Sequence, residues 1–495
     1  MADPLDSPQP AGDVLGTPEA GGKAIRGGVL RIAGYVAGVI AAIASAPFLI
    51  RHLGVVDYGR FVTVTTLVTM VGILADAGLT VVAQREFATR DAAARSALLG
   101  NIVVVRVAIA LVASVGAIGF ALAAGFDDVL MAGTLLGCAG MVIGIVQLTY
   151  TIPLFVELKL ATVTALELLR QLLMVAAILG LVAADASLLP FLSIAVPLQI
   201  VLLALTILLV RRMIRLELRF DRPEVRYLLG ETVTAAAASA MVNIFYRVSV
   251  LIVAIVATDE VTGWFGASFR VIETLVAVPS LLVGAAFPIL AYAAGSDRDR
   301  LVYAQQRLFE VGVILGAACA LLIGIGARPA IEFIAGDEFE PSIAVLQIQG
   351  IALAVSFLVT VFSSGLWVLR RQRALVAADA VGLASAIVLT LAFTLAADEQ
   401  GAALAMVLAE IILAIALGIA LTRGHPELRP KLQVVPKVVV ATAAAALVWL
   451  SPAPEIVEVV VAALVYFGVL AALQGIPPEV RDSLLRRRGP AAGVV

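Results

Sequence analysis

The chain has 495 residues, of which 62% are hydrophobic and only 14% charged, with a net charge of −2. Soluble domains are closer to half apolar and a quarter charged, so this composition excludes an ordinary soluble enzyme or binding module and indicates an integral membrane protein. The two cysteines, Cys138 and Cys319, both lie in apolar runs, and His52 and His425 are the only histidines, which excludes a disulfide framework and leaves almost no material for a metal site.

Residues 1–26 are rich in Pro, Gly and Ala with scattered acids, and read as a disordered cytoplasmic tail. They lack the cationic start, single short apolar core and cleavage site of a signal peptide. A spanning helix needs about 20 mostly apolar residues. With that ruler the chain holds about fourteen spans, near 29–50, 61–83, 99–124, 129–153, 160–183, 188–210, 227–257, 265–293, 308–330, 342–369, 374–396, 401–421, 434–452 and 456–475. The longest polar interruption is 211–226, with Arg211, Arg212, Arg215, Arg219, Arg222 and Arg226. It divides a six-helix N-lobe at 27–210 from a six-helix C-lobe at 227–421. Two more helices fill 422–476, and a basic tail, 477–495, contains Arg481 and Arg486–Arg488. The expected fold class is therefore an all-α polytopic membrane protein, two pseudo-symmetric six-helix lobes plus two C-terminal helices.

Lys and Arg resist translocation, so the arginine-rich loop belongs on the cytoplasmic side. Alternating outward from it puts Arg85, Arg90, Lys159, Arg298, Arg370, Arg371 and Arg429 inside, while Asp127, Asp185, Asp259, Glu260, Asp337 and Asp398 fall outside. The expected location is the cytoplasmic cell membrane, with both termini cytoplasmic. No G-x-x-x-x-G-K-[ST] phosphate loop occurs, so transport by this chain would draw on an ion gradient, the membrane potential or the substrate gradient. The two lobes also carry a weak repeat. Leu53-Gly-Val-Val-Asp-Tyr58-Gly59 follows the first span and Asp259-Glu-Val-Thr-Gly-Trp264 the seventh. Gly78 and Gly284 each lie twenty residues beyond the aromatic residue. Duplicated lobes typically enclose a site near the bilayer midplane.

Leu53-Gly54-x-x-x-Tyr58-Gly59, Asp76-Ala-Gly78-Leu79 and Arg85-Glu86-Phe-Ala88 resemble the amino-terminal signature of the polysaccharide and oligosaccharide flippases of the multidrug/oligosaccharidyl-lipid/polysaccharide exporter superfamily. Gly263-Trp-Phe-Gly-Ala-Ser-Phe-Arg270-Val-Ile-Glu273 leading to Phe287-Pro288, and Gly336-Asp-Glu-Phe339, resemble later segments of that family. The resemblance covers about residues 27–475. It implies two helix bundles packed as a V around a central cavity. It also implies a non-enzymatic flippase that exports a lipid-linked oligosaccharide by alternating access, with glycosyltransferases or a polymerase of the same pathway as candidate partners. Neither a cofactor nor nucleic acid enters this reading.

A charge at a helix centre costs roughly 2.5–3.5 kcal/mol, so intramembrane charges mark wet cavities or ion pairs. Arg270 and Glu273 share a helix face; they read either as an intrahelical ion pair or as a cavity site where arginine binds phosphate. The resemblance favours Arg270 as a cavity arginine, because related lipid II flippases are similar in carrying arginines on helices one, two and eight. This chain departs from them in having no arginine near the centre of helix one. Arg247, with Asn243 one turn earlier, is a second cavity candidate. Arg106 is a third, weighed against snorkelling to the headgroups. Glu167 and Arg170 read as an ion pair. Asp76, Arg85 and Glu86 read as a structural lock or a cytoplasmic gate. Asp379 and Glu410 are ion-coupling candidates, set against simple hydrogen bonding. The alternatives to a flippase are a cation-coupled drug or metabolite exporter of the same superfamily and a membrane sugar polymerase or ligase; the short outer loops disfavour the last.

Overall fold

The computed structural model describes residues 20–76, 78–213, 221–451 and 453–477. Among these residues the chain is all-helical, and each of the fourteen expected spans has a helical counterpart. Ten helices are long and apolar enough to cross a membrane, accompanied by the shorter apolar helices Met241–Val256 and Val434–Leu450. Large apolar side chains such as Val112, Leu395, Leu450 and Leu464 are mostly exposed. Surfaces this apolar need lipid as their solvent, and the chain is a multi-pass membrane protein. Residues 1–19 of the expected tail, Arg215 and Arg219 of the basic loop, and Arg481 and Arg486–Arg488 lie outside the described residues. Residues 20–26 and 222–226, read from the sequence as tail and linker, are helical. The hydropathy ruler counts only the hydrocarbon-crossing part of a helix, and these helices continue past it.

Contacts divide the chain into two compact units. The first runs to His52 and resumes from Val64 to Ala240; the second comprises Leu53–Thr63 and everything from Met241 onward. The first unit is built from α1 (Ala20–Asp76), which lends residues 53–63 to the second, and then α2 (Leu79–Thr89), α3 (Ala92–Ala123), α4 (Asp128–Tyr150), α5 (Ile152–Val156), α6 (Leu160–Ala183), α7 (Leu188–Ser193) and α8 (Ala195–Val210). Helix α9 (Arg222–Val256) starts in the first unit and ends in the second. The second unit continues with α10 (Asp259–Leu275), α11 (Ala277–Ser296), α12 (Arg298–Ile334), α13 (Pro341–Val368), α14 (Gln372–Thr422), α15 (Val434–Ala446) and α16 (Glu455–Ala472).

Local sequence explains where these helices begin and break. Asp91, Asp127, Thr258 and Asp297 accept hydrogen bonds from the first free N–H groups of α3, α4, α10 and α12, as capping residues do. Gly54 breaks α1 with φ of 68°, and Gly78 opens α2 with φ of 75°. Both are left-handed positions that residues with a Cβ avoid. Helix α14 breaks at Ala397–Asp398, so the expected eleventh and twelfth spans meet in a tight bend. In the first unit, the glycines of α4 let its neighbours approach. A Cβ on Gly140 would sit 2.7 Å from the Ala195 side chain, and one on Gly137 would sit 2.7 Å from Val68, a use of small residues typical of membrane helix packing.

In the second unit, three signature segments that are far apart in sequence meet. A Cβ on Gly59 would lie 2.0 Å from the Asp259 carbonyl oxygen, and one on Gly263 would lie 2.2 Å from that of Val55. The Trp264 indole donates to the Glu338 carbonyl at 3.2 Å, Ser342 donates to the Trp264 carbonyl at 2.8 Å, and the Tyr58 ring meets Phe339 edge-on. Arg60 lies 3.7 Å from both Asp57 and Asp259. Gly59→Ala drives its new Cβ into the Asp259 backbone carbonyl and is expected to cost about 1–3 kcal/mol, the usual range for overpacking. Its melting temperature in detergent should fall, and an unchanged value would rule out so close an approach.

The repeat is matched only partly. Gly78 caps the start of α2, whereas Gly284 sits inside α11 with open space around it. The interruption in that stretch falls at Val276, between α10 and α11, three residues before Pro279. Proline lacks the N–H that would bond back into the preceding turn, so the helical hydrogen bonding lapses upstream of the glycine while Val276 keeps helical angles.

Candidate functional site

The first unit carries an open cavity of about 630 Å³ beside a buried charge cluster. Arg106, on α3, is fully buried. Its guanidinium donates to Asp76 Oδ1 at 2.7 Å, to Thr80 Oγ1 at 2.5 Å and to Thr149 Oγ1 at 2.9 Å, and Thr80 donates to Asp76 Oδ1 at 2.7 Å. The left-handed Gly78 turns the chain so that Asp76 at the end of α1 and Thr80 in α2 face one another. Arg106 does not snorkel: its hydrogen bonds all point inward. Asp76 and Thr80 line the cavity, with Gln84, Gln147, Thr151, Glu167, Arg170 and Gln199. Glu167 and Arg170, expected to pair, both lie exposed on the cavity wall, and no ion pair joins them among the described residues. Neither side chain had to find a buried partner, because the cavity leaves both accessible to water.

The expected lock or gate is divided in the structure. Asp76 joins Arg106, whereas Arg85 and Glu86 lie further along α2. There Glu86 accepts from Arg90 at 3.1 Å, from Arg85 at 3.2 Å and from the Tyr227 hydroxyl at 3.1 Å, and Arg90 also pairs with Glu224. Asn101 of α3 accepts the Asp221 backbone N–H at 2.8 Å. Together these contacts clamp the start of α9 onto α2 and α3. Burial opposes ionisation of Glu86, but the hydrogen bonds from Arg90, Arg85 and Tyr227 outweigh it and hold its carboxyl below the usual range. A lowered folded pKa contributes stability that is present above the unfolded value, about 4.3, and lost as pH falls through the folded value. Wild type should therefore melt above Glu86→Gln at neutral pH, and the two curves should draw together as the pH falls past the usual carboxylate value and then through the lowered folded value. Parallel curves down to pH 3 would remove Glu86 from the clamp.

The second unit holds the other candidates. Arg247 on α9 pairs with Glu273 on α10, and Arg270 donates to the same carboxylate at 3.1 Å. The sequence showed Arg247 without an acid on its own turn; its partner comes from the next helix. Two arginines thus share one glutamate, leaving a net positive cluster with side chains 26%, 47% and 30% exposed for Arg247, Arg270 and Glu273. Asn243 is exposed one turn before Arg247. Asp379 and Glu410, on the two arms of α14, are instead buried. Asp379 Oδ2 and both carboxyl oxygens of Glu410 lack hydrogen-bond partners among the described residues. Tyr246 is the polar neighbour of Glu410. No group of three or more His, Cys, Asp or Glu positioned to hold a metal ion is present among the described residues.

Sequence reasoning passed over Thr80, Gln84, Gln147, Thr149, Thr151 and Gln199. Their signal was polar spacing within apolar helices: Thr80–Gln84 and Gln147–Thr151 are each four apart, so each pair shares one helix face.

No family model matches the chain, and no curated protein matches it. Solved structures do. The chain is similar to a lipid II flippase MurJ in an inward closed conformation, with a TM-score of 0.68 and 12% identity over 93% of this chain and all of that one. It is also similar to a multidrug resistance MATE family transporter of the MOP superfamily. The inward-facing form gives a TM-score of 0.62 at 14% identity, covering 81% of this chain and 98% of that one. The outward-facing form gives 0.52 at 13% identity, covering 82% and 95%. At these identities the likeness is one of fold: the chain has the helical fold that these lipid flippase and drug transporter structures share.

Proposed function

We propose that the chain is a transporter that moves a polyprenyl-diphosphate-linked oligosaccharide across the cytoplasmic membrane for cell-surface polysaccharide synthesis, and that it is not an enzyme. The observation that carries this reading is the Arg247–Glu273–Arg270 cluster. One carboxylate shared by two guanidinium groups leaves cationic donors over, and arginine's planar fork suits a diphosphate. The flippase in the structural comparison is a lipid II flippase, and its fold covers 93% of this chain. The lipid tail can stay in the bilayer while the sugar crosses through a wet cavity.

Proteoliposomes carrying a fluorescent undecaprenyl-diphosphate oligosaccharide test this. Wild type should transfer the lipid between leaflets. Arg247→Ala and Arg270→Ala should each slow transfer by about tenfold or more at equal folded yield, the effect of losing a charge-assisted hydrogen bond. Glu273→Gln, which leaves both arginines in place, should retain it. Transfer that persists in both arginine variants would discard the site. Absence of transfer with several lipid-linked sugars would favour a cation-coupled exporter, the second reading. That alternative draws on the unpartnered carboxyls of Asp379 and Glu410, because a buried carboxyl without a partner is suited to taking up a proton or cation.

A further inference from the structure

The first unit's cavity has polar chemistry that the diphosphate site does not use. Its wall is balanced in charge: Arg106 neutralises Asp76 from behind, and Glu167 and Arg170 offset one another on α6. An ion entering this space would lose hydration without meeting a net opposite charge, and a lipid tail would strip water from eight polar side chains. The wall instead presents carboxamides from Gln84, Gln147 and Gln199, groups that both donate and accept; Gln147 already donates to Thr206, and the Thr80 and Thr151 protons already go to Asp76 Oδ1 and the Leu148 carbonyl. Both bonds made by the Asp76 carboxylate go to Oδ1, and among the described residues Oδ2 makes none. Phe155, Met141 and Leu148 supply apolar surface alongside. At about 630 Å³ the cavity falls within the usual range for small-molecule sites, about 300–1,000 Å³.

We propose that this cavity is a binding site for a neutral, hydroxyl-rich ligand, a pyranose unit of a glycan. Sugar hydroxyls need partners that donate and accept around one ring, and the ring's C–H face needs an apolar neighbour; this wall has both. The pyranose ring lies among α1, α2, α4, α6 and α8, with Gln199 and Glu167 as direct partners and Arg106 holding Asp76 in place behind it. The site deepens the flippase reading and rests on it for the source of the sugar, while binding itself is measured without transport.

The test is saturation-transfer-difference NMR on the purified full chain in detergent, with methyl α-D-glucopyranoside, methyl α-D-galactopyranoside and N-acetyl-D-glucosamine as probes. Wild type should transfer saturation to the ring protons of at least one probe. Gln199→Leu and Glu167→Leu should each weaken that binding about tenfold, the effect of one lost hydrogen bond to a desolvated ligand. Because Glu167 is exposed and unpaired among the described residues, its variant tests the site without disturbing the fold. No transfer to any of the three probes, or transfer unchanged in both cavity variants, overturns the proposal. The flippase reading is scored separately in proteoliposomes. Lipid transfer without glycoside binding would sink the cavity alone, and glycoside binding without lipid transfer would sink the flippase alone.

Discussion

Replacing Asp76 by alanine is expected to cost about 3–5 kcal/mol of stability, the range for breaking one side of a buried ion pair. Arg106→Met should cost less. The asymmetry follows from burial: the Arg106 side chain is 0% exposed and that of Asp76 is 36% exposed. Without Asp76, the guanidinium remains charged, since arginine does not deprotonate in proteins, and it keeps only Thr80 and Thr149 as partners. Without Arg106, the carboxylate can still take water from the cavity it lines. The double variant Asp76→Ala/Arg106→Met should recover much of the loss, because it removes the stranded charge. Melting of the three variants in one detergent gives the order directly. Equal losses in the two single variants would mean that both groups reach water, contrary to the burial of Arg106.

Glu410→Leu is expected to do the opposite to stability while damaging function. Glu410 is 0% exposed and both its carboxyl oxygens lack hydrogen-bond partners among the described residues. A leucine of similar volume removes that desolvation cost, so the variant should gain about 1–3 kcal/mol. If Glu410 couples an ion, the same variant should lose the dependence of transport on a sodium or proton gradient, measured in proteoliposomes with and without each gradient. A large fall in stability would reveal a strong partner for this carboxyl and remove the argument. Stabilisation with gradient dependence intact would make Glu410 a buried group without a coupling role, leaving Asp379 as the candidate.

Much of the fold was legible because hydropathy acts locally. A run of about 20 apolar residues crosses a bilayer whatever lies elsewhere in the chain, and all fourteen expected spans correspond to helices. Helix ends were less legible. Residues 20–26 and 222–226 continue helices beyond the hydrocarbon, where apolarity no longer marks them. The functional side chains were legible as isolated anomalies. Arg106, Arg247, Arg270, Asp379 and Glu410 stood out because charge inside an apolar helix is costly. Their partners were less legible. Glu273 was visible for Arg270, three residues away on one helix, yet its bond to Arg247 crosses from α9 to α10. The carboxylate of Asp76 was grouped with Arg85 and Glu86 by proximity in sequence, but it faces Arg106 from thirty positions away.

The glycines divide along the same line. Gly54 and Gly78 carry positive φ at helix breaks, a backbone requirement that can be suspected from a glycine between apolar runs. The need for Gly59 and Gly263 exists only because Leu53–Thr63 and α10 lie backbone to backbone in the second unit. By itself, then, the sequence determined the membrane class, the number of helices and the residues that bear intramembrane charge, because these follow from transfer free energies counted along the chain. Only the tertiary structure decided which charges neutralise one another, which stay unpartnered, and that polar residues from five helices line one cavity. Those outcomes depend on distances between segments remote in sequence, and no local pattern encodes them.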